Sequence, residues 1–286
     1  MPVKILSAAG VADVQAPAPA PAATLYALAS GLPAGDHEAT VFKCTEPLVG
    51  NATFAGFQLD AGATVLPATL VRRKIEVIGD SISCGYGNEA VSPGGEGFSP
   101  ATENAWWTYG AIAARAVGAD YECIAWSGRK MYPDDTIPTI FDRTLPLDRA
   151  SHWAGDKEKP DAILVNLGTN DFDAARPPDH AGWVKAYREF VARLRRDAPQ
   201  AVVYCALGPM LSDGYPAGRP SLTTAREWIR EVVKDCNDAG DTRVRFLEFA
   251  PQRAADGIGA NNHPSVRTHQ RMAEKFVEAV RADLRW

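Results

Sequence analysis

Three apolar, strand-like runs in this sequence each stop at a short group of residues suited to acyl chemistry. Lys74-Ile75-Glu76-Val77-Ile78 ends in Gly79-Asp80-Ser81, and Tyr121-Glu122-Cys123-Ile124-Ala125 ends in Trp126-Ser127-Gly128. Asp161-Ala162-Ile163-Leu164-Val165 ends in Asn166-Leu167-Gly168-Thr169-Asn170-Asp171. Any one of these could be an ordinary strand-ending turn, because Gly, Asp, Asn and Ser are common turn formers. Three in matching positions are more informative. If the strands are parallel neighbours, Ser81, Gly128 and Asn170 emerge at one carboxyl edge, where open α/β sheets place their sites. A hydroxyl there can attack a carbonyl, while the Gly128 N–H, the Asn170 amide and the Ser81 N–H stabilise the oxyanion that develops. Serine is inert near neutral pH without a base. His263, in Asn261-Asn262-His263-Pro264-Ser265, has a side chain that titrates in the right range.

The elements that must position these groups are legible in the periodicity. Strands are expected at 74–79, 120–125, 161–167, 201–207 and 243–248, and helices at 103–117, 181–197, 222–237 and 265–284. Such alternation predicts a three-layer α/β/α domain on a parallel sheet over residues 71–286. Before it, residues 1–70 contain a Pro/Ala tract at 15–23, expected to be extended. Short β-like runs follow at 24–30, 38–43 and 53–60. So few strands cannot bury two faces. They should therefore lean on the following domain or on a second subunit, the latter making a homo-oligomer.

Taken together, Gly79-Asp80-Ser81, Gly128, Gly168-Thr169-Asn170-Asp171 and His263-Pro264 resemble the four blocks of the SGNH/GDSL hydrolases. The longer stretches Ile78 to Glu89 and His263 to His269 are similar to carbohydrate esterase family two, the acetyl xylan esterase-like group that deacetylates plant polysaccharides. The resemblance spans roughly residues 24 to 286 and implies a flavodoxin-like SGNH domain preceded by a jelly-roll-like β-sandwich, here shortened. It implies Ser81 as nucleophile, His263 as base, and Ser81, Gly128 and Asn170 as oxyanion donors. The superfamily places an aspartate three residues before the histidine, and some carbohydrate esterases place it two before. Here those positions are Ala260 and Asn261. The imidazole must then be oriented by the Asn261 side-chain oxygen, by a main-chain carbonyl, or by Asp256 folded back; a Ser–His dyad with a carbonyl is the favoured reading.

The implied activity is hydrolysis of acetyl or other short-chain acyl esters, with an acetylated saccharide or small acyl ester as partner and no metal or cofactor. The alternatives are a broad-specificity short-chain esterase or thioesterase, and a catalytically weak carbohydrate-binding protein. Composition narrows the rest. A formal charge of −5 over 286 residues gives no electrostatic reason to expect nucleic acid or an anionic membrane. No apolar run reaches the roughly 18 residues of a membrane span. Five scattered cysteines without a Cys-x-x-Cys pair read as small packed thiols, and Cys84 beside the serine turn as packing. The start of the chain reads poorly as a signal peptide, whereas relatives are commonly exported, which leaves the compartment open. Tyr86, Trp106, Trp107 and Trp126 lie near the expected site edge, with at least one of the adjacent tryptophans expected to be partly exposed.

Overall fold

A computed structural model describes residues 24–67, 71–90, 97–153, 158–173 and 176–286. The Pro/Ala tract at 15–23 lies outside these. Five strands, β1 (Lys74–Gly79), β2 (Asp120–Ala125), β3 (Ala162–Asn166), β4 (Val202–Leu207) and β5 (Val244–Glu248), pair in the order β2-β1-β3-β4-β5. All four pairings are parallel. The chain runs outward from β1 to β2 and then returns to β3 on the other side of β1. That reversal opens a crevice beyond the carboxyl ends of β1 and β3.

Because successive strand side chains face opposite sides, the sheet separates two cores. One face carries Ile78, Ile163, Val165, Val203 and Cys205 against Trp183, Tyr187, Phe190 and Leu194 of α4 (His180–Asp197) and Ile229 and Val232 of α5 (Ser221–Asp238). The other carries Ile75, Val77, Leu164 and Tyr204 against Tyr109 and Val117 of α2 (Tyr109–Val117) and Met272, Phe276 and Val280 of α6 (Val266–Leu284). Two short helices, α1 (Ser81–Cys84) and α3 (Thr169–Asp173), begin directly after β1 and β3 and stand at the crevice.

Two expectations need correction. The helix expected over 103–117 begins only at Tyr109. Asn104 caps a separate 3₁₀ turn by accepting from the Trp106 N–H at 3.1 Å, and Thr108 is extended, so the pattern is broken before α2 starts. The runs at 24–30, 38–43 and 53–60 form no strand among the described residues. Most of this segment is exposed. Its 42–46 portion does lean on the α/β domain. Phe42 meets the Trp106 ring edge-on at 5.2 Å, and Ala105 N–H donates to the Cys44 carbonyl at 2.8 Å.

Candidate active site

Ser81 is the first residue of α1, directly after the β1 glycine and the capping Asp80. The Asp80 carboxylate accepts from Ile82 N–H at 3.0 Å. Gly79 admits no side chain: a Cβ there would lie 2.1 Å from Ser83 Oγ. As the opening residue of a helix, Ser81 also has a main-chain N–H without an intrahelical acceptor.

His263 reaches Ser81 from a segment 182 residues away, with Nε2 2.8 Å from Ser81 Oγ. Two contacts bring the segments together. Gly87, at φ +56, lies so close to Ala260 that a Cβ would sit 2.2 Å from the alanine Cβ, and the Gly87 carbonyl accepts from Ala260 N–H at 3.0 Å. One step on, Val266 N–H donates to the Asn88 carbonyl at 3.1 Å. The glycines of the serine block thus form a backbone seat for the histidine loop.

The orientation of His263 is set by main chain. Asn261 and Asn262 both adopt left-handed backbone, at φ 49 and 63. Asparagine tolerates this region better than most residues. The turn presents the carbonyls of Ala260 and Asn261 to His263 Nδ1 at 3.1 and 3.2 Å. Carbonyls only accept, so Nδ1 carries the proton and the Nε2 lone pair faces the Ser81 hydroxyl. Burial lowers the His263 pKa against the opposing pull of these two carbonyls, which favours the neutral base.

The other two orienting candidates turn elsewhere. The Asn261 side chain donates through Nδ2 to the Tyr86 hydroxyl at 3.0 Å, so this residue faces His263 through its carbonyl only. Asp256 pairs with Arg253, Arg267 and Arg271 at 3.0, 3.3 and 2.6 Å. Hydrogen bonds from Arg253 and Arg271 hold its carboxyl down to about 2. Its charge is consumed in tying the loop to α6.

Asn170, in α3, donates through Nδ2 to the Arg129 carbonyl at 2.9 Å and, more weakly, toward Asp80 at 3.4 Å. Gly128 sits at φ 78 in the turn closed by Arg129 N–H on the Trp126 carbonyl at 3.2 Å. Asp171 braces the far side of that loop by accepting from Met131, Tyr132 and Trp183. Burial raises Asp171 to about 6 and Asp80 to about 7. Among the aromatics, Tyr86 stacks on Phe98 at 4.2 Å and lies tilted against the His263 ring at 4.4 Å. Trp126 is buried under Arg129. Trp106 and Trp107 are both partly exposed, but Trp106 is held between Phe42 and Arg115. Buried His269 accepts from Tyr109 N–H.

Sequence reasoning missed Glu46. Among residues 24–67 it alone is buried. With Cys84 and Glu103 it forms a cluster whose donor atoms lie within 4.8 Å of one another, the spacing a metal ion would need. Glu46 is engaged with Ser127, and its own N–H donates to Glu103 at 3.1 Å. A single Glu in Cys44-Thr45-Glu46-Pro47 has no periodicity or motif to mark it.

The chain is similar to known proteins over most of its length. Residues 77–271 match the GDSL-like lipase/acylhydrolase family, and residues 11–68 match the carbohydrate esterase 2 N-terminal family. The cellulase/esterase CelE of Acetivibrio thermocellus is 39% identical over 265 residues, covering 91% of this chain but only 31% of that protein. An acetylxylan esterase/glucomannan deacetylase of Cellvibrio japonicus is 28% identical, covering 88% of this chain and 68% of its own length. Among solved structures, a family two carbohydrate esterase from Clostridium thermocellum in complex with cellohexaose superposes with a TM-score of 0.79. It is 37% identical, over 85% of this chain and 74% of that one.

Proposed function

The chain belongs to the GDSL-like lipase/acylhydrolase family and, within it, to carbohydrate esterase family two; it is a carboxylic ester hydrolase, and from that premise we propose that it removes acetyl or similar short acyl groups from a saccharide by a serine mechanism. The observation that carries this reading is the pair of His263 contacts, Nε2 to Ser81 Oγ at 2.8 Å and Nδ1 to main-chain carbonyls. Ser81 Oγ attacks the ester carbonyl carbon as its proton passes to Nε2. The tetrahedral oxyanion is met by the N–H groups of Ser81 and Gly128 and by Asn170 Nδ2, which gives up its weak 3.4 Å contact with Asp80 to donate. Collapse expels the sugar hydroxyl, which takes the proton from His263. Water then attacks the acyl-serine and gives one proton to the same nitrogen; collapse returns that proton to Ser81 Oγ and releases the carboxylic acid, which loses its own proton to solvent.

With two carbonyls in place of a carboxylate, His263 is oriented without a full compensating charge for the imidazolium. Stabilisation of the cation should be weaker than in an aspartate triad. The division at residue 70 belongs to the same reading: residues 1–70 are an accessory module, and 71–286 carry the chemistry. The saccharide preference rests on the relatives, together with the part-exposed Phe98 ring, which stacks on Tyr86 at 4.2 Å while Tyr86 packs against His263; an aromatic face of this kind suits a sugar ring.

The test is hydrolysis of a chromogenic acetyl ester and of acetylated xylan or glucomannan by the wild type and Ser81→Ala. Turnover of both substrates that falls roughly a thousandfold or more in the variant supports the mechanism. Equal rates in the two proteins would overturn it. Turnover of the chromogenic ester without deacetylation of any polysaccharide would instead favour a broad short-chain esterase.

A further inference from the structure

The loop that carries Gly128 is clamped from two directions by buried carboxylates. Asp171 holds its far end, at Met131 and Tyr132. The near end is held by Glu46, which lies outside the α/β domain. Ser127, the residue immediately before Gly128, donates its N–H to Glu46 Oε2 at 2.8 Å and its hydroxyl to Glu46 Oε1 at 2.5 Å. Both carboxylate oxygens are therefore used on one residue, and the peptide that leads into the Gly128 N–H is fixed at its origin. Two charge-assisted hydrogen bonds on a buried group are strong and directional.

Glu46 is itself held. Its N–H donates to the Glu103 carboxyl at 3.1 Å, its carbonyl accepts from Lys43 Nζ at 3.3 Å and from Val49 N–H at 3.2 Å, and Cys84 Sγ approaches Oε2 at 3.8 Å. Burial, followed by the neighbouring Glu46, raises the Glu103 carboxyl to about 8. Cys84 closes α1, whose first residue is Ser81. One buried carboxylate thus touches both the helix that opens with the nucleophile and the loop that offers the oxyanion donor.

We propose that Glu46 is a positioning residue for the oxyanion-binding loop, so that the N-terminal segment completes the active site. This rests on the serine esterase reading above. Since a donor contributes only when aimed at the oxyanion's position, a loosened loop should weaken the transition state more than the bound ester.

The experiment compares full-length wild type, Glu46→Gln, Glu46→Ala, Ser127→Ala and Ser81→Ala. It measures kcat and KM on a chromogenic acetyl ester, the inhibition constant of a simple alkylboronic acid, and the melting temperature. The boronic acid reports the oxyanion site because Ser81 Oγ adds to boron and leaves a tetrahedral anion. For Glu46→Ala, kcat should fall roughly 10- to 100-fold, a fraction of the loss typical for a whole oxyanion donor. KM should stay within about twofold and boronate inhibition should weaken in parallel with kcat. Glu46→Gln, which keeps one acceptor, should lose roughly a third as much on a logarithmic scale. Should Glu46→Ala fail to fold, Ser127→Ala still decides the question, since it removes one of the two bonds without emptying the carboxylate site. A loss of kcat and boronate affinity at unchanged KM supports the inference. Lower melting temperatures with kcat and boronate affinity at wild-type values would overturn it and make Glu46 purely structural. A wild type no more active than Ser81→Ala would overturn the esterase reading, and this inference with it.

Discussion

At the residue scale, the proposed base His263 has its pKa lowered by burial and its ring pointed by main chain. Since the pKa is lowered from the usual histidine value of about 6.5, the acid limb of kcat/KM should fall below that pH. A profile measured from pH 4 to 9 checks this; an acid limb above 6.5 would show that the imidazolium is stabilised after all. Asp256→Asn provides the companion test. Were Asp256 the orienting acid, its amide would cost about 10⁴-fold in kcat. Because its carboxylate is spent on Arg253, Arg267 and Arg271, the expected change in kcat/KM is within about threefold, with the loss appearing in the melting temperature. Ser81 and His263, the proposed nucleophile and base, were singled out from residue type and position, and the fold brings them within 2.8 Å. The orienting group was only half readable: Asn261-Asn262 marks a left-handed turn, but which carbonyls it turns inward depends on the seat provided by Gly87.

At the element scale, the strands and long helices follow from periodicity because the sheet has two buried faces and each helix one. Where propensity yielded, a local cap decided, as Asn104 does ahead of α2. The N-terminal runs read as strands for the same reason, β-branched and apolar content, yet among the described residues they form no ladder. The joint between the serine and histidine loops offers a sharp test. Gly87→Ala combines a left-handed φ of +56 with a Cβ contact of 2.2 Å to Ala260. The backbone penalty of about 1–2 kcal/mol and an overpacking cost of about 1–3 kcal/mol should both appear in its unfolding free energy. Separation of the loops should also lower kcat/KM by at least about tenfold. Gly118→Ala is the control. Its φ is +62, but a Cβ there meets nothing within 4 Å, so only the backbone penalty and unchanged kinetics are expected. Equal kinetic losses in the two variants would show that the Gly87 contact does not set the Ser81–His263 geometry.

For the whole molecule, the buried acids around the sheet set how stability responds to pH. Burial raises Glu76 and Asp80 to about 7 and Glu103 to about 8. None of these shifts could be read from the sequence, since they depend on which strand end or segment each group is folded against. In the unfolded chain such groups ionise near pH 4, so across neutral pH the folded state binds more protons and stability falls as pH rises. His269, lowered to about 3 by burial and then by His263, acts in the opposite direction, but only below its unfolded value of about 6.5. Between about pH 6.5 and 8.5 the carboxyls therefore act without that opposition, and the melting temperature should decline through this window. Glu76 is the clearest contributor. It is paired in register with Glu122 on β2, its Oε1 has no hydrogen-bond partner, and Lys74 sits 2.8 Å from Glu122. Glu76→Gln should therefore stabilise the protein by about 1–2 kcal/mol at pH 8.5, a rise of several degrees, and leave it nearly unchanged at about pH 3.5, below the unfolded carboxyl value, where Glu76 is mainly neutral in both the folded and the unfolded chain. Calorimetry at the two pH values checks this. A wild-type melting temperature that is flat across the window, or an equal shift at both pH values, would show that the charge on Glu76 is accommodated and that the acids of the sheet do not govern stability.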